Sequence, residues 1–233
     1  MQFETITYQE QLSFRLSTRR YTAVYHQEGC GLAALFDADG SDWISYRPSG
    51  GEYGHYRGIP NMGLDAFGHP GYAFGATTMV SLQTAERMQL FSSSADGRWQ
   101  TVWDFYPQKL VQTITAVAAP YWWLYEGTVG GRFQPERQHL ILPDGQIHPA
   151  SQRYTANAEA KRSVTFVDPA SGRGLQLTAH TPEPTVDLYW PMGGDGGMTV
   201  WGFGRHDDET GPHPHLTQTP ATFSVAFVEK DEG

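Results

Sequence analysis

Apolar and polar residues alternate along most of the chain. FETITY, LSFRLS, YTAVYH, DWISY, TTMVSLQ, MQLFSS, WQTVWDFY and KLVQTITAV read with a period of two, as do YWWLYEG, RQHLIL, RSVTFVD, GLQLTAH, TVDLYW, MTVWGFG and ATFSVAFVE. That period belongs to strands, whose successive side chains point to opposite faces. The segments are rich in β-branched and aromatic residues, which suit a pleated, half-buried surface. Between them DADGSD, SADGR, LPDGQ and DPASGRG supply turn residues, and Asp-Gly tolerates the positive φ of tight hairpins. No window sustains an apolar stripe at i, i+3, i+4, i+7, so little helix is predicted. TANAEAKR, residues 155–162, is the best short helical candidate. Strands of this number and spacing predict an all-β fold, two antiparallel sheets packed as a sandwich, either a supersandwich or a jelly roll. With no linker, low-complexity tract or repeat, residues 1–233 are expected to form one domain.

Charge narrows the partners. The net charge is −9, Lys and Arg total 16, and their longest run is Arg19-Arg20. A nucleic-acid binder needs a cationic stripe, so nucleic acid is excluded as an expected partner. No apolar run is long enough to span a bilayer. The single cysteine, Cys30, rules out an internal disulfide and reads as a small buried residue rather than a nucleophile. MQFETITYQEQ lacks a charged-then-apolar leader pattern. A cytoplasmic setting fits if Met1 is native, a secreted or periplasmic one if a leader was removed. There is no G-x-S-x-G elbow, P-loop or dinucleotide fingerprint.

The long irregular pieces are 47–73, 126–136, 143–160, 191–196 and 204–220. The first is rich in glycine, rings and ionisable groups. In GEYGHYRGIPN, Arg57 offers a fork of donors suited to a carboxylate, and Asn61 adds an amide donor. His55, Tyr53 and Tyr56 can carry protons or stack on a sugar face. His69 sits between Gly68 and Pro70, which fixes an imidazole suited to acid–base work, or one that only bonds a loop carbonyl. In YWWLYEGTVGGRF, Tyr125 and Glu126 end a strand. Glu126, with Arg132 beyond the turn, reads as a base, a hydroxyl acceptor, or a turn anchor paired with an arginine. In WGFGRHDDETGPHPH the histidines and carboxylates match no standard metal spacing, and Pro214 argues against a regular strand. That stretch is expected to be a solvated loop, with Arg205 as a second cation for an acidic sugar.

The segments EGCGLAALFDADGSDWISY, YRGIPN, YWWLYEGTVGG, MTVWGFGR and TFSVAFVE resemble parts of galactose-mutarotase-like β-sandwich proteins, a fold shared by sugar epimerases and by domains of polysaccharide lyases and hydrolases. The resemblance implies that fold and a carbohydrate ligand. Mutarotases of the fold pair a histidine acid with a glutamate base, and no motif here lines up with such a pair.

The expected function is therefore a polysaccharide lyase acting by β-elimination on a uronate-containing glycan. Arg57 and Asn61 would neutralise the carboxylate while His55, His69 and Tyr56 move protons. Tyr53, Asn61, Tyr125, Glu126 and Arg205 would bind the substrate. No cofactor is required, although a divalent cation could replace the neutraliser. The alternatives are an epimerase, a glycoside hydrolase using two of Glu52, Asp65, Glu126 and Asp195, or a non-catalytic sugar-binding module. Residues 49–75 are expected across the concave face or rim of the larger sheet, with Arg57, His69, Tyr125 and Arg205 in one cleft.

Overall fold

A computed structural model describes residues 1–45, 58–63, 69, 75–157, 162–194, 196–209 and 211–229. Their strands, in chain order, begin with β1 (Gln2–Tyr8), β2 (Gln11–Ser17), β3 (Tyr21–His26) and β4 (Gly31–Asp37). Next come β5 (Thr77–Gln83), β6 (Met88–Ser93), β7 (Trp99–Phe105), β8 (Leu110–Val117) and β9 (Trp123–Gly127). β10 (His139–Ile141), β11 (Ile147–Pro149), β12 (Tyr154–Asn157), β13 (Arg162–Asp168) and β14 (Arg173–Ala179) follow. The chain closes with β15 (Val186–Met192), β16 (Met198–Phe203), β17 (Arg205–Asp208), β18 (Gly211–Pro214) and β19 (Ala221–Glu229).

One layer is a nine-stranded sheet in the order β11-β10-β13-β14-β19-β8-β7-β6-β5, antiparallel throughout. Facing it are two four-stranded sheets, β1-β2-β3-β4 and β12-β15-β16-β9. Residues 58–63 join these two edge to edge. On one side Ile59 exchanges both backbone hydrogen bonds with Leu32 of β4. On the other, Asn61 exchanges both with Leu124 of β9, at 3.0 Å each, while Trp122 N–H donates to Gly63 O and Glu126 N–H to Gly58 O. The second layer is thus one hydrogen-bonded surface, with 58–63 as its seam. The described part of the glycine-rich stretch lies in this layer, not across the larger sheet as expected.

The layers bury a continuous aromatic core. Tyr25 of β3 meets Trp103 and Phe105 of β7 edge-on. Trp123 of β9 stacks on Phe223 of β19 with centroids 5.1 Å apart. Along β7 and β19 every second side chain is buried, as the period of two demands. β9 and β16 differ, being buried on both faces. Cys30 is buried, its sulfur near Gln27 O and Thr78 Oγ1, and burial pushes the thiol up to about 11. It is the inert residue its lone occurrence suggested.

Three expected elements differ. Residues 155–157 of the helical candidate pair with Leu188–Val186 within β12, because the open edge of β15 outweighs local propensity. Its residues 158–161 lie outside the described set, and Arg162 begins β13. DWISY does not form a strand over its described residues. Asp42 makes one bridge to Phe36, and its carboxylate takes the N–H groups of Leu35 and Ile44, so side chain replaces ladder. The HDDETGPHPH stretch is a paired hairpin rather than a loop, with His206 opposite His213 and Pro214 at the strand end, where a missing N–H is tolerated.

Candidate functional site

Strand β9 sorts its side chains by parity. Trp123 and Tyr125 turn inward, onto Phe223 and Phe166 of the large sheet. Trp122, Leu124 and Glu126 therefore turn outward. Cross-strand neighbours share a face, which puts Val200 beside Glu126, Gly202 beside Leu124, and Trp190 beside Val200. Trp122, Leu124, Met198 and Val200, with Trp190 packed against them, form a second apolar cluster outside the main core. Asn61, bridged to Leu124 across the seam, sits on this same outer face.

Arg205 is brought there by the turn between β16 and β17. Gly204 has φ +68, and a Cβ at that position would lie 2.3 Å from Leu216 Cγ, so only glycine makes the turn. The turn is tied to the core. Asp187 Oδ1 accepts the Gly204 N–H at 3.0 Å, and its carboxylate is held by the Arg162 guanidinium. Arg162 and Asp187 are both almost fully buried. Desolvation raises the Asp187 carboxyl above its ordinary range, opposed by Arg162 and by the Gly204 N–H. Beyond this anchor the Arg205 guanidinium lies over Trp190 at 4.2 Å and over Trp122 at 4.9 Å from the ring centroids. Its Nε donates to Asp207 Oδ1 at 2.9 Å. Each ring contact is worth about 0.5–2 kcal/mol when water is excluded, and together they fix the orientation of the cation.

Around Arg205 the face combines three kinds of group. Glu126 is 0% exposed, a carboxylate wholly removed from water. Asn61 is 2% exposed, and its side-chain Nδ2 has no hydrogen-bond partner among the described residues. An orphaned buried N–H costs about 1–3 kcal/mol, so this amide is a donor awaiting an acceptor. Trp122 lies flat over the seam, with Gly63 directly beneath it; a Cβ there would sit 1.9 Å from the indole ring. Trp190 is only half-buried and forms the open edge of the group. A carboxylate, an amide donor, an oriented cation and the open edge of Trp190 together can bind a polyol and move a proton on it.

Of the residues singled out from the sequence, the structure brings Asn61, Glu126 and Arg205 to one face. It does not bring Tyr125 there. That ring is 0% exposed in the core, and its hydroxyl donates to Trp43 O at 2.7 Å, so it lines no sugar subsite. His69 is buried, accepts the Met62 N–H at Nδ1 (3.1 Å) and bonds Gly29 O through Nε2. Both its ring nitrogens thus hold backbone groups, which makes it a clamp between the seam and the β3–β4 turn, the plainer of its two readings. The expected cleft of Arg57, His69, Tyr125 and Arg205 does not assemble from its described members. Tyr53, His55, Tyr56 and Arg57 lie outside the described residues, as do Glu52, Asp65 and Asp195. The Arg132 guanidinium makes no ion pair with a described residue. No group of three or more His, Cys, Asp or Glu that could hold a metal ion occurs among the described residues. Trp122 and Trp190 as the platform for Arg205 went unrecognised, although Trp122 shares the parity of Glu126 in YWWLYEG.

Neither a protein-family model nor a curated protein sequence matches the chain. Solved structures do. HI1317 is similar at 12% identity and a TM-score of 0.64, over 98% of this chain and 100% of that one. A protein provisionally named an aldose 1-epimerase, from Escherichia coli K12, is similar at 9% identity and a TM-score of 0.59, over 93% of this chain and 99% of that one. A galactose mutarotase related enzyme from Lactobacillus acidophilus is similar at 10% identity and a TM-score of 0.56, over 94% and 98%. The chain has the galactose-mutarotase-like β-sandwich fold. No helix among the described residues is long and apolar enough to cross a membrane.

Proposed function

We propose that the protein is a carbohydrate-active enzyme that interconverts the anomers of an aldose on the outer face of β9 and β16. One observation carries the reading: Asn61, Glu126, Trp122, Trp190 and Arg205 share that face, and the Asn61 amide is buried without an acceptor among the described residues. A sugar hydroxyl supplies the acceptor. The names of the similar structures favour epimerisation over elimination.

The chemistry needs a base and an acid. Glu126 takes the proton from the anomeric hydroxyl, the acid gives one to the ring oxygen, and the bond between anomeric carbon and ring oxygen breaks to an open aldehyde. Rotation about the adjacent carbon–carbon bond presents the other carbonyl face. Reversing both proton transfers closes the ring as the other anomer. Shielding from water strengthens the charge-assisted hydrogen bonds of Glu126 and Arg205 to the sugar. His55, with Tyr56 as the alternative, is proposed as the acid; both lie outside the described residues. A second reading rests on Arg205 beside Glu126: a cation to neutralise a uronate and a base to remove the neighbouring proton would serve a polysaccharide lyase.

One assay separates them. Anomer exchange of a panel of aldoses is followed by NMR, and uronate-containing glycans are screened by absorbance of unsaturated ends. Accelerated exchange, lowered in Glu126→Gln, supports the epimerase. Unsaturated ends would replace it by the lyase. Sugar binding with neither activity would leave a binding module.

A further inference from the structure

Three surface cavities of similar size each contain an arginine, and their surroundings differ. In one, of about 440 Å³ on the outer face of β1–β4, Arg15 is paired with Glu4. In another, of about 410 Å³ at the β10 end of the large sheet, Arg173 is held by Asp37 and Asp39. The third, of about 390 Å³, is lined by Arg132, Phe133, Ser45, Thr128 and glycines that include Gly131 and Gly197. Here no described carboxylate pairs with the arginine. In a chain of net charge −9, an exposed arginine with no described carboxylate partner, set in a concave wall, can offer its charge to an anionic ligand.

The other walls suit an anion carried on a sugar. Ser45 Oγ and Thr128 Oγ1 are 2.5 Å apart, so one hydroxyl hydrogen lies between them. The second hydrogen has only Asp42 O, at 3.3 Å from either oxygen, and a ligand oxygen would hold it better. Phe133 packs against Gly197 and offers an apolar wall to the carbon–hydrogen face of a sugar. Gly131, at φ +80, makes the turn that carries Arg132 into the cavity wall.

Its place relative to the outer face matters. Thr128 follows Glu126 by two residues on the same line of chain, with the same parity. That is roughly 7 Å at the rise of a strand, the reach from a reacting carbon to a substituent across one pyranose ring or to the adjoining ring. We infer that this cavity is a subsite for an anionic group of the substrate, a carboxylate or a phosphate, with Arg132 as its charge partner and the Ser45–Thr128 hydroxyl pair as a second donor. The inference rests on the proposed sugar site for its orientation, but not for its test.

The test is calorimetric titration of the intact protein with glucose, glucuronate and glucose 6-phosphate, in wild type and in Arg132→Met. The wild type is expected to bind at least one of the acids about tenfold more tightly than glucose, as a charge-assisted contact allows. Arg132→Met should abolish that preference and leave glucose affinity unchanged, which also shows that the variant is folded. Whichever acid is preferred identifies the group as carboxylate or phosphate. An equal preference in Arg132→Met, or none in wild type, overturns the inference. Absence of anomer exchange in the wild type would overturn the proposed reaction alone, because the titrations do not depend on turnover.

Discussion

The two faces of β9 are made of similar residues and do different things. Inward, Trp123 and Tyr125 meet the large sheet, and their polar atoms are met by protein: Trp123 Nε1 donates to Gln112 Oε1 at 2.7 Å and Tyr125 Oη to Trp43 O at 2.7 Å. Outward, Trp122 and Glu126 are equally dry, yet beside them the Asn61 amide has no acceptor among the described residues, and Arg205 lies between two indole rings with the partly exposed Asp207 as its ion-pair partner. Two buried arginines sharpen the contrast. Arg162 is locked to Asp187 inside the core, while Arg205 keeps a half-exposed indole at its side. A satisfied face stabilises the fold. On the outer face the Asn61 Nδ2, without a partner among the described residues, stands next to the buried Glu126 carboxylate, and a ligand hydroxyl there would satisfy it.

The sharpest separation of the two faces comes from Glu126→Gln. Anomer exchange should fall by about 10²–10⁴-fold in kcat/KM, the usual contribution of a positioned acid or base, with the melting temperature little changed. Next is Arg162→Ala. Removing one partner of a buried ion pair costs about 3–5 kcal/mol, read as a lowered urea midpoint. Because Asp187 also anchors the Gly204 N–H, activity should fall with stability there, unlike in Glu126→Gln.

Third is a pH effect at the seam. Gly29 N–H donates to His26 Nδ1 at 2.6 Å, and burial pushes the His26 imidazole down to about 4 from its usual range near 6.5. The unfolded chain then binds a proton at higher pH than the folded one. The contribution is full above pH 6.5 and lost as the pH falls towards 4, a total of about 3 kcal/mol. Urea unfolding from pH 7.5 to 4.5 should show this loss in wild type and a shallower one in His26→Gln. The smallest effect is that of Tyr125→Phe, a loss of about 1 kcal/mol for one hydrogen bond, with kcat/KM unchanged. A large loss of turnover there, at unchanged stability, would put the reacting sugar on the wrong face.

The strands and their antiparallel pairing were legible because a period of two survives in almost every segment and Asp-Gly turns separate them. TANAEAKR misled because its alanines favour helix in isolation, whereas β15 offered it an edge. The site was half legible. Asn61, Glu126 and Arg205, singled out for their polar side chains, do meet on one face. What the period could not supply was parity: in YWWLYEG both sets of alternate residues are apolar, so Tyr125 and Trp122 were interchangeable until one was seen against Phe166 and the other over Gly63. Nor could His69 be read, since its partners Gly29 and Met62 meet it only when the seam closes between β4 and β9.

The most direct test of the outer-face site is the crystal structure of the protein grown with a saturating aldose. The account predicts a pyranose ring against the half-exposed Trp190, with one hydroxyl on Asn61 Nδ2 and another on the Glu126 carboxylate. A sugar bound only on the nine-stranded sheet, with Asn61 and Glu126 untouched, would contradict it.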